Sequence, residues 1–198
     1  MGVEHTIEAS EHLTKVAIRL DGTSGYELET VWADPIGECT YRLRNVPFLP
    51  YGYSEQDVVR AAEVEGRLIV TGVAERGGHS TYRVFLPEPT SDDDFYSQWE
   101  PLAALGCTYE RGNKRLIGID VPPASDIYAV YAVLEEGEAS KHWLFEEGHC
   151  GHLLRTSGSP PEGHDGQRDL ACNRCGTLVG VGYLYHAADL NGEIHAVR

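Results

Sequence analysis

The sequence predicts an α+β fold: a small antiparallel barrel, then a mixed unit of strands and helices, then a β-rich tail. Three observations predict it. Residues 15–87 alternate apolar and polar side chains between turn residues, as half-buried strands do. From residue 80 the rhythm changes to strand, helix, hairpin, helix, strand. From residue 149 the chain is rich in glycine, proline, serine, cysteine and histidine and has few large apolar groups.

The first unit is expected over residues 14–79. "KVAIRL" places Val16, Ile18 and Leu20 on one face, "YELETVW" places Tyr26, Leu28 and Trp32, and "TYRLRN" places Tyr41 and Leu43. "NVPFLPYGYS" holds two prolines and a glycine and reads as a loop. Its aromatic residues Phe48, Tyr51 and Tyr53 are candidates for a partner-binding face, with packing over the barrel as the competing reading. Ser54-x-x-Asp57 has the form of a helix cap, but β-branched residues on both sides of Glu65-Gly66 favour a hairpin of "DVVRAAEV" and "RLIVTGVA". Short strands with such turns predict an SH3-like barrel.

The second unit is expected over residues 80–148. "TYRVFL" is its first strand. In "TSDDDFYSQWEPLAALG", Ser91 and the run Asp92 to Asp94 suit a helix N-terminus, where the macrodipole favours negative charge. Pro101 is expected to interrupt and restart this helix, and Gly106 to end it. "CTYERGNKRLIGIDVP" is a hairpin pivoting near Gly112-Asn113. A second helix follows with Ile127, Val130, Tyr131 and Leu134 on one face, and "HWLFEE" closes as a strand. That order, βαββαβ, predicts a ferredoxin-like unit. Trp32, Trp99 and Trp143 read as core anchors, and Cys39 and Cys107 as buried thiols.

Composition narrows the function classes. Of 198 residues, 41% are apolar, enough for a real core, and no apolar run approaches the ~20 residues that span a bilayer. The polar N-terminus, "MGVEHTIEASEHLTK", is not expected to be a signal peptide, so a reducing cytoplasm is the expected compartment. The net charge of −15 is uneven, because residues 1–148 carry 12 basic against 26 acidic groups. Nothing supplies the Lys and Arg clusters that bind phosphate backbones, so no direct nucleic-acid binding and no membrane contact are expected. A basic protein partner is.

Four segments, "LETVWADP", "YRLRNVPF", "SEQDVVRAAE" and "GGHST", occur in the order and spacing of one bacterial family. The chain resembles the family catalogued as domain of unknown function 4265 over roughly residues 14–148. The most specific pieces are Trp32-Ala33, Asn45-x-Pro47-Phe48, Asp57-Val58-Val59 and Gly78-His79-Ser80-Thr81. The resemblance implies a bacterial, cytoplasmic protein with this two-part fold. It implies no reaction, and it does not extend to the tail.

Two constellations carry chemistry. His79 beside Ser80 in "GGHST", with Asp57, is the candidate catalytic set for an enzyme or small-molecule sensor sited between the two units. Neighbouring residues on a strand point to opposite faces, so His79 is poorly placed to serve Ser80 as a base. The tail, residues 149–198, holds the second. Cys172-x-x-Cys175 resembles a zinc knuckle, and Cys150 and His152 complete a tetrahedral set with His149 as substitute. Four available donors and no His-x-Glu upstream point to structural rather than catalytic zinc, in a zinc-ribbon-like tail. The function expected is therefore a non-enzymatic acidic protein-binding module, immunity-like or regulatory.

Overall fold

The computed structural model describes residues 13–22, 25–88, 92–152, 170–171 and 178–179. Among these residues the fold is α+β, with two helices and two main sheets.

The first sheet comprises β1 (Thr14–Arg19), β2 (Leu28–Gly37), β3 (Thr40–Leu43), β4 (Val58–Val64) and β5 (Arg67–Glu75). Consecutive strands pair antiparallel, and β5 returns to pair with β1 in parallel, so the sheet closes on itself. The β4–β5 hairpin turns at Glu65 and Gly66, with φ of 52° and 76°. Two positive φ values match the twist of the flanking strands, as the expected hairpin required.

The interior is filled by small and β-branched side chains: Val16, Ile18, Val31, Ala33, Leu43, Val59, Ala61 and Val70. Here one expectation fails. Val31 and Ala33 point inward, and Trp32, expected in the core, is 38% exposed. Alternation defines two faces of a strand without saying which is inside. The bore of a small closed sheet suits valine and alanine. Trp32 instead lies outside, opposite Lys15, whose ammonium sits 4.6 Å from the ring centroid. Cys39 is a second correction. It is exposed rather than buried, with φ of 55°, in the turn between β2 and β3. Cys107 is buried as expected.

The second sheet follows the order β6 (Ser80–Phe85), α1 (Asp92–Ala104), β7 (Thr108–Arg111), β8 (Leu116–Val121), α2 (Ile127–Ala139), β9 (Leu144–His149). Its strands lie in the order β7-β8-β6-β9, with every neighbouring pair antiparallel. Both helices contribute to one apolar core against it. Phe95, Trp99 and Leu102 of α1 and Ile127, Val130 and Leu134 of α2 meet Tyr82, Val84, Tyr109, Ile117 and Ile119. Trp99 packs edge-on to Tyr109 at 4.8 Å between centroids, and Trp143 donates its indole N–H to Leu134 O at 3.0 Å.

Pro101 lies inside α1 rather than breaking it. It lacks only the N–H that would bond one turn back, and Trp99 and Leu102 on either side hold the helix on the sheet. Gly106 takes φ of 87° and ends the segment as expected. Asp126 caps α2 by accepting the N–H groups of Tyr128 and Ala129.

In the tail, β10 (Leu170–Ala171) and β11 (Leu178–Val179) pair antiparallel. Cys172, Cys175 and Ser91 lie outside the described residues. No helix among the described residues is long and apolar enough to cross a membrane.

Candidate functional site

Alternation along β6, β8 and β9 sends Thr81, Arg83, Asp120 and Glu146 to the face opposite the helices, yet all four are buried. What covers them is the segment joining β3 to β4. Two carboxylates grip its backbone, and one amide of the segment itself grips β2. The Glu29 carboxylate accepts the N–H groups of Phe48 and Leu49 at 2.7 and 2.6 Å. Glu110 Oε1 accepts Val46 N–H at 3.0 Å across the seam, and Asn45 Oδ1 accepts Trp32 N–H at 2.7 Å. Gly118 lets the segment lie close, since a Cβ there would come within 2.8 Å of Val46 Cγ1.

The aromatic residues of this segment are half-buried and packed within the chain. The Phe48 ring lies against Gly112 and Gly118, and Tyr53 packs beside the core of the first sheet. The Tyr51 ring sits 4.5 Å from the Arg83 guanidinium, and its hydroxyl donates to Glu146 Oε2 at 3.0 Å. Arg83 in turn donates to Glu146 Oε1 at 2.7 Å and to Pro50 O at 2.6 Å. This is a buried ion pair, satisfied on most of its hydrogen-bonding positions.

The turn between the sheets, residues 76–80, completes the seam. Asp57 is fully buried, and its carboxylate accepts Ser54 N–H at 3.1 Å, Arg76 Nη1 at 2.8 Å and Gly77 N–H at 2.9 Å. A Cβ on Gly77 would lie 2.6 Å from the Gln56 carbonyl carbon, so only glycine fits that approach. His79 Nδ1 lies 2.9 Å from both oxygens of Asp120. Ser80 pairs elsewhere. Its Oγ accepts Gly151 N–H at 2.9 Å and lies 2.7 Å from His152 Nδ1. His152 Nε2 lies 3.0 Å from Pro122 O, a pure acceptor. The proton on a neutral ring is therefore on Nε2, and Nδ1 accepts from the Ser80 hydroxyl.

The three residues expected to form one catalytic set thus belong to three separate pairs: Asp57 with Arg76, His79 with Asp120, Ser80 with His152. Ser80 has a histidine partner, but the hydroxyl is fully buried and already carries a backbone donor. The pair clips the chain after β9 to the start of β6.

Burial sets the electrostatics. It pushes Glu110 up to about 8, helped by the charges of Glu55, Asp120 and Glu29 and opposed by the Val46 N–H. It pushes Glu55 up to about 7, again with Asp120 contributing. For His79, burial lowers the value, but the Asp120 hydrogen bond and the charges of Asp120, Glu55 and Asp57 together raise it above the ordinary 6.5. Burial, with Asp120, also pushes the Cys107 thiol up to about 12, which leaves it inert.

On the solvent side of the turn lies an open depression of about 320 Å³, lined by Arg42, Gln56, Glu75, Arg76 and His79 among others. Among the metal donors expected from the sequence, His149 and Cys150 are buried at the end of β9 and His152 follows two residues on. No group of three or more His, Cys, Asp or Glu side chains among the described residues is arranged to hold a metal.

Asp120, Glu110, Arg76 and the Arg83–Glu146 pair were missed in the sequence reading. For two of them the sequence carries a partial signal, a single charged residue inside a strongly apolar strand: Arg83 in "TYRVFL" and Asp120 in "LIGIDV".

A closed sheet and a helix-backed four-stranded sheet, joined across a buried polar seam, define an α+β protein of two tightly connected units. The chain belongs to the family described as Domain of unknown function (DUF4265), whose model matches residues 29–145. The fold is similar to that in a crystal structure of a hypothetical protein from Neisseria gonorrhoeae. That likeness has a TM-score of 0.61 and 12% identity, over 72% of this chain and 98% of the other. No curated protein matches.

Proposed function

We propose that the chain is a non-enzymatic binding module presenting acidic surface to a basic protein partner, in an immunity-like or regulatory role. The observation that carries this reading is the dispersal of Asp57, His79 and Ser80 into separate pairs, each with a structural task. With the candidate nucleophile fully buried, the net charge of −15 is the larger property left for recognition. Within this reading the first unit is an SH3-like barrel. The second is a ferredoxin-like unit, supported by the strand order β7-β8-β6-β9 with a helix in each crossover.

Structural zinc in a zinc-ribbon-like tail belongs to the same proposal, with Cys150, Cys172 and Cys175 as thiolate donors. The fourth donor is better sought in His149 than in His152. Both ring nitrogens of His152 are engaged by Ser80 and Pro122, whereas His149 Nε2 is buried without a partner among the described residues. Zinc there would staple the tail and do no chemistry.

The test is affinity capture with the tagged full chain at low and high salt, followed by mass spectrometry. The expected result is one basic partner at stoichiometric yield that salt weakens. Capture of nothing, or turnover of metabolites by the purified chain, overturns the reading. A second reading, a small-molecule site at the turn, draws on the depression beside His79.

A further inference from the structure

The depression beside His79 differs in character from the rest of the chain. Acidic residues outnumber basic ones by 31 to 16 in the sequence, yet three of its lining residues, Arg42, Arg76 and His79, are cationic or can become so. Glu75 is the one carboxylate among the lining residues. The carboxylates that balance Arg76 and His79 lie beneath the floor: Asp57 is fully buried and Asp120 is 3% exposed. Their oxygens are taken up by Arg76, Gly77 and His79 of the lining itself, so Glu75 is the carboxylate that faces the two arginines and the imidazole there.

Those donors are also held in place. Arg76 Nη1 is fixed by Asp57 at 2.8 Å and by Gly52 O at 2.7 Å, which leaves the rest of the guanidinium fork for a ligand. Asp120 fixes the His79 ring through Nδ1, and Nε2 has no hydrogen-bond partner among the described residues. Gln56 also lines the depression, with its Nε2 donating to Glu55 Oε1 at 3.1 Å. A guanidinium and an imidazole oriented from behind by buried carboxylates need little reorganisation to receive an anion. The volume of about 320 Å³ is at the small end of ligand sites.

We propose that this depression binds a small free oxyanion, a phosphate or carboxylate group, through Arg42, Arg76 and His79. The site deepens the small-molecule reading and does not depend on the partner surface. The test titrates the full chain with inorganic phosphate and, separately, with succinate, at ionic strength matched with sodium chloride, by calorimetry and by the His79 ring NMR signals. A saturable response to one or both is expected. Phosphate alone identifies a phosphate site, and succinate alone a carboxylate site. Arg42→Ala is expected to weaken binding by about tenfold or more, with an unchanged melting temperature, because a charge-assisted hydrogen bond is lost. His79→Gln is expected to weaken it as well, and the exposed Arg42 keeps the test decisive should that variant unfold. No saturable response to either probe, or an equal response in Arg42→Ala, overturns the site. A partner captured by a chain that binds neither probe would overturn this site alone.

Discussion

On one side of the four-stranded sheet, Tyr82, Val84, Ile117 and Ile119 meet the apolar stripes of two helices. On the other side, Thr81, Arg83 and Glu146 meet a proline-containing segment from the neighbouring sheet, and Asp120 meets His79 of the turn between the sheets. Both faces are buried, but they are held differently. The helix side is non-directional and depends on volume. The opposite side depends on named donors meeting named acceptors, so each substitution there leaves a particular atom without a partner. The same four strands therefore carry a tolerant face and an exacting one.

The comparison can be broken from either side. Trp99→Ala on the helix side should cost about 3–5 kcal/mol in urea unfolding, since Trp99 is almost fully buried between Phe95 and Tyr109. Glu146→Leu on the opposite side should cost about the same, because it strands the Arg83 guanidinium. The two faces part company on rescue. Adding Arg83→Met to Glu146→Leu should recover most of that loss, whereas no single partner change should restore Trp99→Ala. Failure of the double substitution to recover would show that the Tyr51 and Pro50 contacts, rather than the charge pair, hold this face. Ser80→Ala comes next, at about 1–3 kcal/mol, because it leaves Gly151 N–H and His152 Nδ1 unpaired. Faster amide exchange at Gly151, with β6 unaffected, would report that release.

The gentlest lever is pH, which changes no residue. Glu55 and Glu110 stand well above the ordinary carboxylate value of 4.5, at about 7 and about 8, so the folded chain holds their protons more tightly than the unfolded chain does. Their stabilisation is fully present below that ordinary value and is lost as pH rises through about 7 and about 8. His79, also raised, acts with the same sign. His149 is lowered by burial, so it opposes the gain on the acid side, below its ordinary 6.5. The melting temperature is expected to fall as pH rises from about 5 to about 8, and Glu110→Gln should flatten the fall. A midpoint that rises over this range would mean the seam is wetter than its geometry implies.

What the sequence made legible follows the same division. The apolar stripe of α2, the Glu65-Gly66 hairpin and the α+β order were readable because periodicity and turn chemistry are local. Trp32 was not, because choosing the inner face of β2 requires knowing the width of the closed sheet. Nor was the continuity of α1 through Pro101, since flanking core residues override a local preference. The seam was the hardest. Arg83 and Asp120 look like ordinary solvent-side residues in alternating strands, and only the segment 45–57 folding over them turns that face inward. His152 as the partner of Ser80 lies 72 positions away and beyond the family match, where spacing carries no information.

The position of that last contact bears on where the folding unit stops. The matched family region ends at residue 145, within β9, and a fragment cut there would lose the strand from Glu146 onward together with the glycine that nests against the His79 carbonyl. It would also leave a buried hydroxyl and a proline carbonyl facing nothing. The shortest stretch that can close its own polar seam therefore runs through residue 152, and a truncation intended to isolate the family core should be drawn there.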